Sequence, residues 1–164
     1  MSLEVRLSTI DDLEEIERIY RYARHFMFEH RNWLQWWLFY PEREMIVEDI
    51  ARHQSYVAIE NERIVGTFVL IVGYEREYDQ FRHDNEPYIT IRRIASDGTA
   101  KGLIGSAFAV CESIGKDVMA DTSQYNTIMH KALLKNGFTV IGSFDADYWP
   151  NVKHYVYEKR IEGS

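Results

Sequence analysis

Apolar and polar positions along this chain follow two alternating rhythms, and their order sets the predicted elements. The stretch Leu3–Leu7 reads as a strand and runs into Ser8-Thr9-Ile10-Asp11-Asp12, where Thr9 with Asp12 three residues on marks a helix N-terminus. Leu13, Ile16, Tyr20, Ala23 and Met27 then recur at three- and four-residue steps, the spacing of one helix face. The aromatic segment Asn32–Tyr40 has no clean period. Pro41 is suited to the first position of a second helix, with Ile46, Val47 and Ile50 facing inward.

Two β-branched runs, Tyr56–Ile59 and Ile64–Val72, flank Asn61-Glu62 and predict an antiparallel hairpin. The charged stretch Glu75–Glu86 reads as a mobile, solvent-facing loop, and Tyr88–Ala95 as the next strand. A third helix is expected from Lys101 to Ile114, with Ile104, Ala107, Phe108, Cys111 and Ile114 inward and Gly115 as its stop. Val118–Ala120 follows as a short strand. A fourth helix, capped by Thr122 or Ser123 and carrying Tyr125, Met129, Ala132 and Leu133, ends at Gly137. Phe138–Ile141 and His154–Glu158 close the order β-α-α-β-β-β-α-β-α-β-β. Without repeat, linker or low-complexity segment, this predicts one α/β domain over residues 1–164, a mixed sheet with helices on both faces.

Composition narrows the partners. A net charge of −7 opposes nucleic-acid binding, which needs a basic face. No apolar run is long enough to span a bilayer, the first residues lack an apolar signal stretch, and the single cysteine, Cys111, suits a reducing compartment. A cytoplasmic protein without a membrane partner is the expectation. His25 and His30 stand five residues apart and share no helix face, so no metal site is expected.

The segment carrying chemistry is Ile91-Arg92-Arg93-Ile94-Ala95-Ser96-Asp97-Gly98-Thr99-Ala100-Lys101-Gly102-Leu103-Ile104-Gly105, a strand, a glycine-bearing turn and a helix start. The first turn of such a helix presents N–H groups to an anion, and Lys101 adds a cation at the rim. It is not a Walker loop, because Leu103 follows Gly102, and it lacks the dinucleotide G-x-G-x-x-G. Gly102-Leu103-Ile104-Gly105 spells the G-x-x-G of an RNA clamp, which the acidic chain opposes. Two readings remain on spacing alone: a diphosphate cradle, and a connection whose glycines serve packing only.

The order of elements and these motifs resemble the GNAT N-acetyltransferase superfamily from about Leu3 to Glu158, and small bacterial members in particular. Ser8-Thr9-Ile10-Asp11-Asp12, Arg63-Ile64-Val65-Gly66 and the run Asn126–Phe138, ending in a G-F pair, are also similar to segments of that family. The resemblance implies a mainly antiparallel mixed sheet and acetyl-CoA as acyl donor. Its pantetheine arm would bond the strand at Ile94, Ala95 and Ser96, and its pyrophosphate the loop Thr99, Ala100, Lys101, Gly102, Leu103, Ile104, with Gly105, Ser106 and Asn126 nearby. Thr99 stands where the family has Gln or Arg, Ile104 where it has Gly or Ala, and Leu133 where many members carry a tyrosine acid.

The implied reaction is direct attack of an amine, on a small molecule or peptide, at the thioester carbonyl. Glu86 and Asp121, each beside a predicted strand end, are the candidate bases, against the alternative of solvated carboxylates. Trp33, Trp36, Trp37 and Tyr40 are read as lining the acceptor pocket, or else as core or dimer packing, with Tyr125 and Trp149 closing the same site. Arg92 is the candidate substrate anchor or a salt-bridged structural arginine; Cys111 is a core residue. A non-catalytic module binding CoA or another ligand as a sensor is the competing function. An interaction domain using the aromatic segment is a third. Homodimers are frequent among proteins of this resemblance.

Overall fold

Alternation and helical spacing become seven strands and four α-helices among the residues described by the computed structural model, 3–29, 40–82, 84–147 and 150–161. They are β1 (Glu4–Leu7), α1 (Leu13–Glu29), α2 (Arg43–Ala51), β2 (Ser55–Glu60), β3 (Arg63–Gly73), β4 (Tyr88–Ser96), α3 (Leu103–Ile114), β5 (Val118–Ser123), α4 (Thr127–Lys135), β6 (Thr139–Asp145) and β7 (Lys153–Lys159). The expected order holds. The strands form one mixed sheet in the order β1-β2-β3-β4-β5-β7-β6. The pairs β1/β2, β2/β3, β5/β7 and β6/β7 are antiparallel, while β4 and β5 pair in parallel at Ile89↔Val118 and Thr90↔Met119.

Chain contacts divide into two compact units. The first comprises Met1–Leu70 and Ile91–Ala107. Its core gathers Leu13, Ile16, Ile19, Tyr20 and Ala23 of α1 with Ile46 and Ile50 of α2, Val57 of β2 and Ala95 of β4. A 3-10 turn, Ile10–Asp12, precedes α1, and the Thr9 N–H donates to Asp12 Oδ2 at 2.8 Å, as the capping pattern predicts. Asn61 and Glu62 both have positive φ, 51° and 65°, which supplies the hairpin turn expected between β2 and β3.

The second unit comprises Ile71–Thr90 and Phe108–Ser164. Tyr78, Tyr88, Met119 and Val156 form a buried cluster here, with Phe81, Ile141 and Phe144 packed against it. β6 carries an irregularity between Val140 and Gly142, and a Cβ at Gly142 would collide with the edge of the Phe81 ring. Phe108 of α3 meets Phe138 edge-on, with ring centroids 6.0 Å apart.

Several expectations need correction. The stretch Glu75–Glu86 is not a solvent-facing loop throughout. It contains a 3-10 helix, Arg76–Phe81, that buries Tyr78 completely, and the Arg82 guanidinium is paired with Asp84, Asp117 and Glu158. Thr122 and Ser123 belong to β5, and the cap of α4 is Asn126, whose Oδ1 accepts the Met129 N–H at 3.2 Å; Tyr125 therefore precedes the helix. Pro41 lies ahead of α2, whose N-cap is Glu42. Val47 is exposed because successive helix residues turn by about 100°, and Ile46 with Ile50 already define the buried line. Ile114, in the last turn of α3, is also exposed.

Candidate functional site

In the first unit, β4 leads into the glycine-bearing loop through a break in its own pleat. Arg93 has φ +48°, so Arg92 and Arg93 do not follow the simple alternation expected of consecutive strand residues. The conformation is held from two sides. The Arg93 carbonyl accepts the Tyr20 hydroxyl at 2.8 Å, and its guanidinium grips Asp49 of α2 through Nε–Oδ2 at 2.8 Å and Nη2–Oδ1 at 2.7 Å. Tyr40 adds a longer hydroxyl contact to Nη1 at 3.4 Å. Burial alone would lower the guanidinium pKa, but the hydrogen bonds of Asp49 and Tyr40 outweigh it and hold it above the ordinary value. Burial pushes the Tyr20 hydroxyl upward as well. Arg93 is thus a structural arginine. Arg92 is half-buried on the same strand.

The loop beyond β4 is organised by Asp97, which the sequence reading passed over as part of a strand break. Its carboxylate accepts the Thr99 N–H at 2.9 Å and the Thr99 hydroxyl, and lies 3.7 Å from Arg18 Nη1. The Ser96 hydroxyl accepts the Gly98 N–H at 3.0 Å, and Tyr22 of α1 fills the space a side chain at Gly98 would need. An Asp followed at the second position by a backbone and hydroxyl donor was the available signal. These bonds engage the N–H groups of residues 98 and 99 within the loop itself.

The helix start differs. Gly102 has φ +76°, a conformation that favours glycine, and among the described residues nothing lies within 4 Å of where its Cβ would be. Lys101 and Gly102 are exposed, and the first N–H groups of α3 have no acceptor within their own helix. Leu103 and Ile104 turn inward, Ile104 being 6% exposed, while Gly105 and Ser106 remain half-buried. The unexpected isoleucine is therefore a core side chain. Ile94 and Ser96 are half-buried and Ala95 buried; Thr99 is exposed and Ala100 half-buried.

In the second unit, β5 and β7 carry a polar row through a mostly apolar cluster. Asp121, with a side chain 5% exposed, accepts the Tyr78 hydroxyl on Oδ2 and lies 2.6 Å from His154 Nδ1 through Oδ1. On the other side of the same strands, the Ser123 carbonyl lies 2.9 Å from His130 Nε2, and His130 Nδ1 meets the Tyr157 hydroxyl. A carbonyl only accepts, so His130 Nε2 carries a proton toward it. Asn126 spends its side-chain oxygen on the helix cap, Tyr125 is exposed, and Glu86 is an exposed carboxylate ahead of β4. Leu133 is completely buried. Trp33, Trp36, Trp37 and Trp149 lie outside the described residues. Tyr78 and His154 were missed in the sequence because neither sits in a motif. Each contacts Asp121, so the row joins three separate segments.

Among the described residues no group of three or more His, Cys, Asp or Glu could hold a metal ion, and no helix is long and apolar enough to cross a membrane.

No protein-family model matches the chain, and no curated protein matches it significantly. Solved structures do. A GNAT-family acetyltransferase of Streptococcus agalactiae is 26% identical and superposes with a TM-score of 0.82, covering 98% of this chain and 96% of that one. Arabidopsis thaliana NAA60 in complex with acetyl-CoA aligns over 99% of this chain and all of its own, 100%, at a TM-score of 0.70 and 17% identity. An N-acetyltransferase of Staphylococcus aureus aligns over 98% and 99% of the two chains, at 0.65 and 20%.

Proposed function

We propose that this chain, which has the GNAT N-acetyltransferase fold, transfers an acetyl group from acetyl-CoA to an amine of a small molecule or peptide. One observation carries the reading: the start of α3 follows an exposed Gly102 of positive φ with open space at its Cβ position among the described residues. Residues there fit a diphosphate, because glycine lets the backbone approach it and the first-turn N–H groups meet its charge. Lys101 supplies a cation at the rim.

On this reading Ile94, Ala95 and Ser96 would hold the pantetheine arm by main-chain bonds, and Thr99 to Ser106 would hold the diphosphate. The bound donor supplies an activated acetyl group. The chain contributes position above all, and fixing two reactants side by side is worth roughly 7–11 kcal/mol. A backbone N–H near Ile94 would meet the developing oxyanion. Arg92, Tyr40 and Tyr125 are assigned to the acceptor, with Trp33, Trp36 and Trp37. Asn126, already a helix cap, would contribute its backbone. Glu86 and Asp121 remain the carboxylates assigned to proton transfer. The reading takes residues 1–164 as one acyltransferase domain, cytoplasmic and dimeric, with sedimentation checking the last point.

The test is a pair of measurements. CoA at about one hundred times its Kd should add roughly 2.7 kcal/mol to stability, a melting shift of several degrees. Thiol release from acetyl-CoA should then appear with at least one amine among amino acids, short peptides and polyamines. No shift at millimolar CoA removes the reading. A shift without turnover on any amine would favour the sensor.

A further inference from the structure

We propose that Asp97, bonded to Thr99 and backed by Arg18, is a positioning residue for the acyl donor: it sets the loop between β4 and α3 in the shape that receives the diphosphate. The proposal rests on the acetyl-transfer reading above and adds two residues to it, both acting on the donor through the loop.

The loop is fixed by bonds inside the first unit. The Asp97 N–H donates to the Val65 carbonyl of β3 at 3.0 Å, the Gly98 N–H to the Ser96 hydroxyl at 3.0 Å and the Thr99 N–H to Asp97 Oδ1 at 2.9 Å. Three successive N–H groups are thus engaged within the protein. The Ser106 N–H is engaged too, by the Gly102 carbonyl at 3.0 Å. Backbone donors that can serve a diphosphate therefore lie within residues 100–105, a narrower span than Thr99 to Ser106. The Thr99 hydroxyl also donates to Asp97. Where the GNAT family has a long Gln or Arg, this chain has a short side chain turned back onto its own loop. Leu103 seats the far end, since a Cβ at Gly66 of β3 would lie 3.0 Å from Leu103 Cδ1.

A carboxylate in a loop that receives an anion carries two costs. Like charges repel, and a buried charge loses its water. The Asp97 side chain is only 5% exposed. Arg18 offsets both costs. Its Nη1 lies 3.7 Å from Asp97 Oδ2, while Nη2 donates to the Ile64 carbonyl at 2.9 Å and Nε to Glu15 Oε2 at 3.2 Å, which fixes the guanidinium. What Asp97 contributes is then an acceptor for Thr99, and asparagine offers the same acceptor without the charge. Substitution can separate geometry from charge here. A loop ordered before the donor arrives has less freedom to lose on binding, so the brace acts on donor affinity rather than on the rate of the bound complex.

The experiment has one arm that needs no ligand. Amide hydrogen exchange should show the Thr99 N–H protected in the wild type and in Asp97→Asn, and unprotected in Asp97→Ala. In CoA titrations Asp97→Ala should raise Kd about tenfold or more, while Asp97→Asn stays within about threefold of the wild type. Thr99→Val keeps the N–H bond and should show a smaller rise than Asp97→Ala. Arg18→Gln should weaken CoA binding several-fold, and adding Asp97→Asn should restore it. With the best amine of the panel, Asp97→Ala should raise the acetyl-CoA KM and largely keep kcat. The loss should disappear with acetyl-pantetheine, a donor without the diphosphate, whereas a general structural defect would lower both donors alike. An Asp97→Ala protein whose CoA Kd barely moves, an Asp97→Asn protein as weak as Asp97→Ala, or an equal loss on acetyl-pantetheine overturns the proposal. If Asp97→Ala does not fold, Thr99→Val and Arg18→Gln decide, and an unmoved CoA Kd in both overturns it. Should the wild type show no CoA shift, acetyl transfer itself fails and the positioning role falls with it; a wild type that binds CoA beside an indifferent Asp97→Ala sinks this proposal alone.

Discussion

Arg93 and Asp49 meet through two parallel hydrogen bonds, at 2.8 and 2.7 Å, and both side chains are largely buried. Paired guanidinium and carboxylate groups in this geometry are strong, and removing one leaves the other charged and out of water. Asp49→Ala should therefore cost about 3–5 kcal/mol in urea unfolding. Because the same arginine sits at the break in β4, the variant should also weaken CoA binding. A loss below about 1 kcal/mol would mean water replaces the pair at little cost.

Ile104 and Gly102 separate stability from binding. Ile104 is buried, so Ile104→Ala should cost about 2–5 kcal/mol through the cavity it leaves and change the CoA Kd little. Gly102→Val imposes positive φ on a β-branched residue, about 1–3 kcal/mol of strain, and places a side chain in the proposed cradle. It should abolish the CoA melting shift. Thermal melts with and without CoA on both variants decide it.

Leu133 has no exposed surface. Restoring the tyrosine common at this position in GNAT proteins would force a larger, polar side chain into packed space. Leu133→Tyr should destabilise by about 1–3 kcal/mol or more, with no gain in rate. A faster enzyme of unchanged melting temperature would show that the position faces the chemistry after all.

Asp12 hydrogen-bonds Arg6, and that bond, more than the Thr9 N–H, holds its carboxyl below the usual range despite partial burial. A carboxyl depressed in the folded state stabilises above its unfolded pKa, about 3.9, and the contribution is lost as pH falls through the lower folded value. Asp12→Asn should be less stable than wild type at pH 7, and the gap should close toward pH 2–3. A gap that persists in acid would assign the loss to geometry rather than charge.

Cys111 is fully buried on α3, and burial pushes its thiol up to about 12. The unfolded thiol ionises near about 8.5, so stability falls as pH rises between those values. Iodoacetamide should leave the native protein unlabelled at pH 8 and modify it fully in urea. Labelling at the native rate of a free thiol would mean that α3 opens readily.

The element order was legible because periodicity survives packing. The Thr9–Asp12 cap, the Asn61-Glu62 turn and the burial of Ile16, Tyr20 and Cys111 all follow from local spacing. What failed was context. Tyr78 sits in a charged run whose average polarity hides one fully buried ring. Asn126 caps α4 because β5 runs three residues past Ala120, a length no local signal fixed. The Tyr78, Asp121 and His154 row joins residues 43 and 33 positions apart, and such pairings are set by strand register rather than by motif. Strand β4 was read as regular, and the positive φ of Arg93 comes from Tyr20 and Asp49 acting on it from other elements.

Phe81 occupies the volume that any side chain at Gly142 would claim. The two positions, 61 residues apart in sequence (142 less 81), therefore cannot drift independently. A lineage that acquires alanine or larger at 142 must first shrink or reorient the ring at 81, and the opposite order passes through an ancestor that carries the clash. Across descendants of this chain the pair should covary, bulky with glycine and small with bulky, and the intermediate carrying both large residues should be missing.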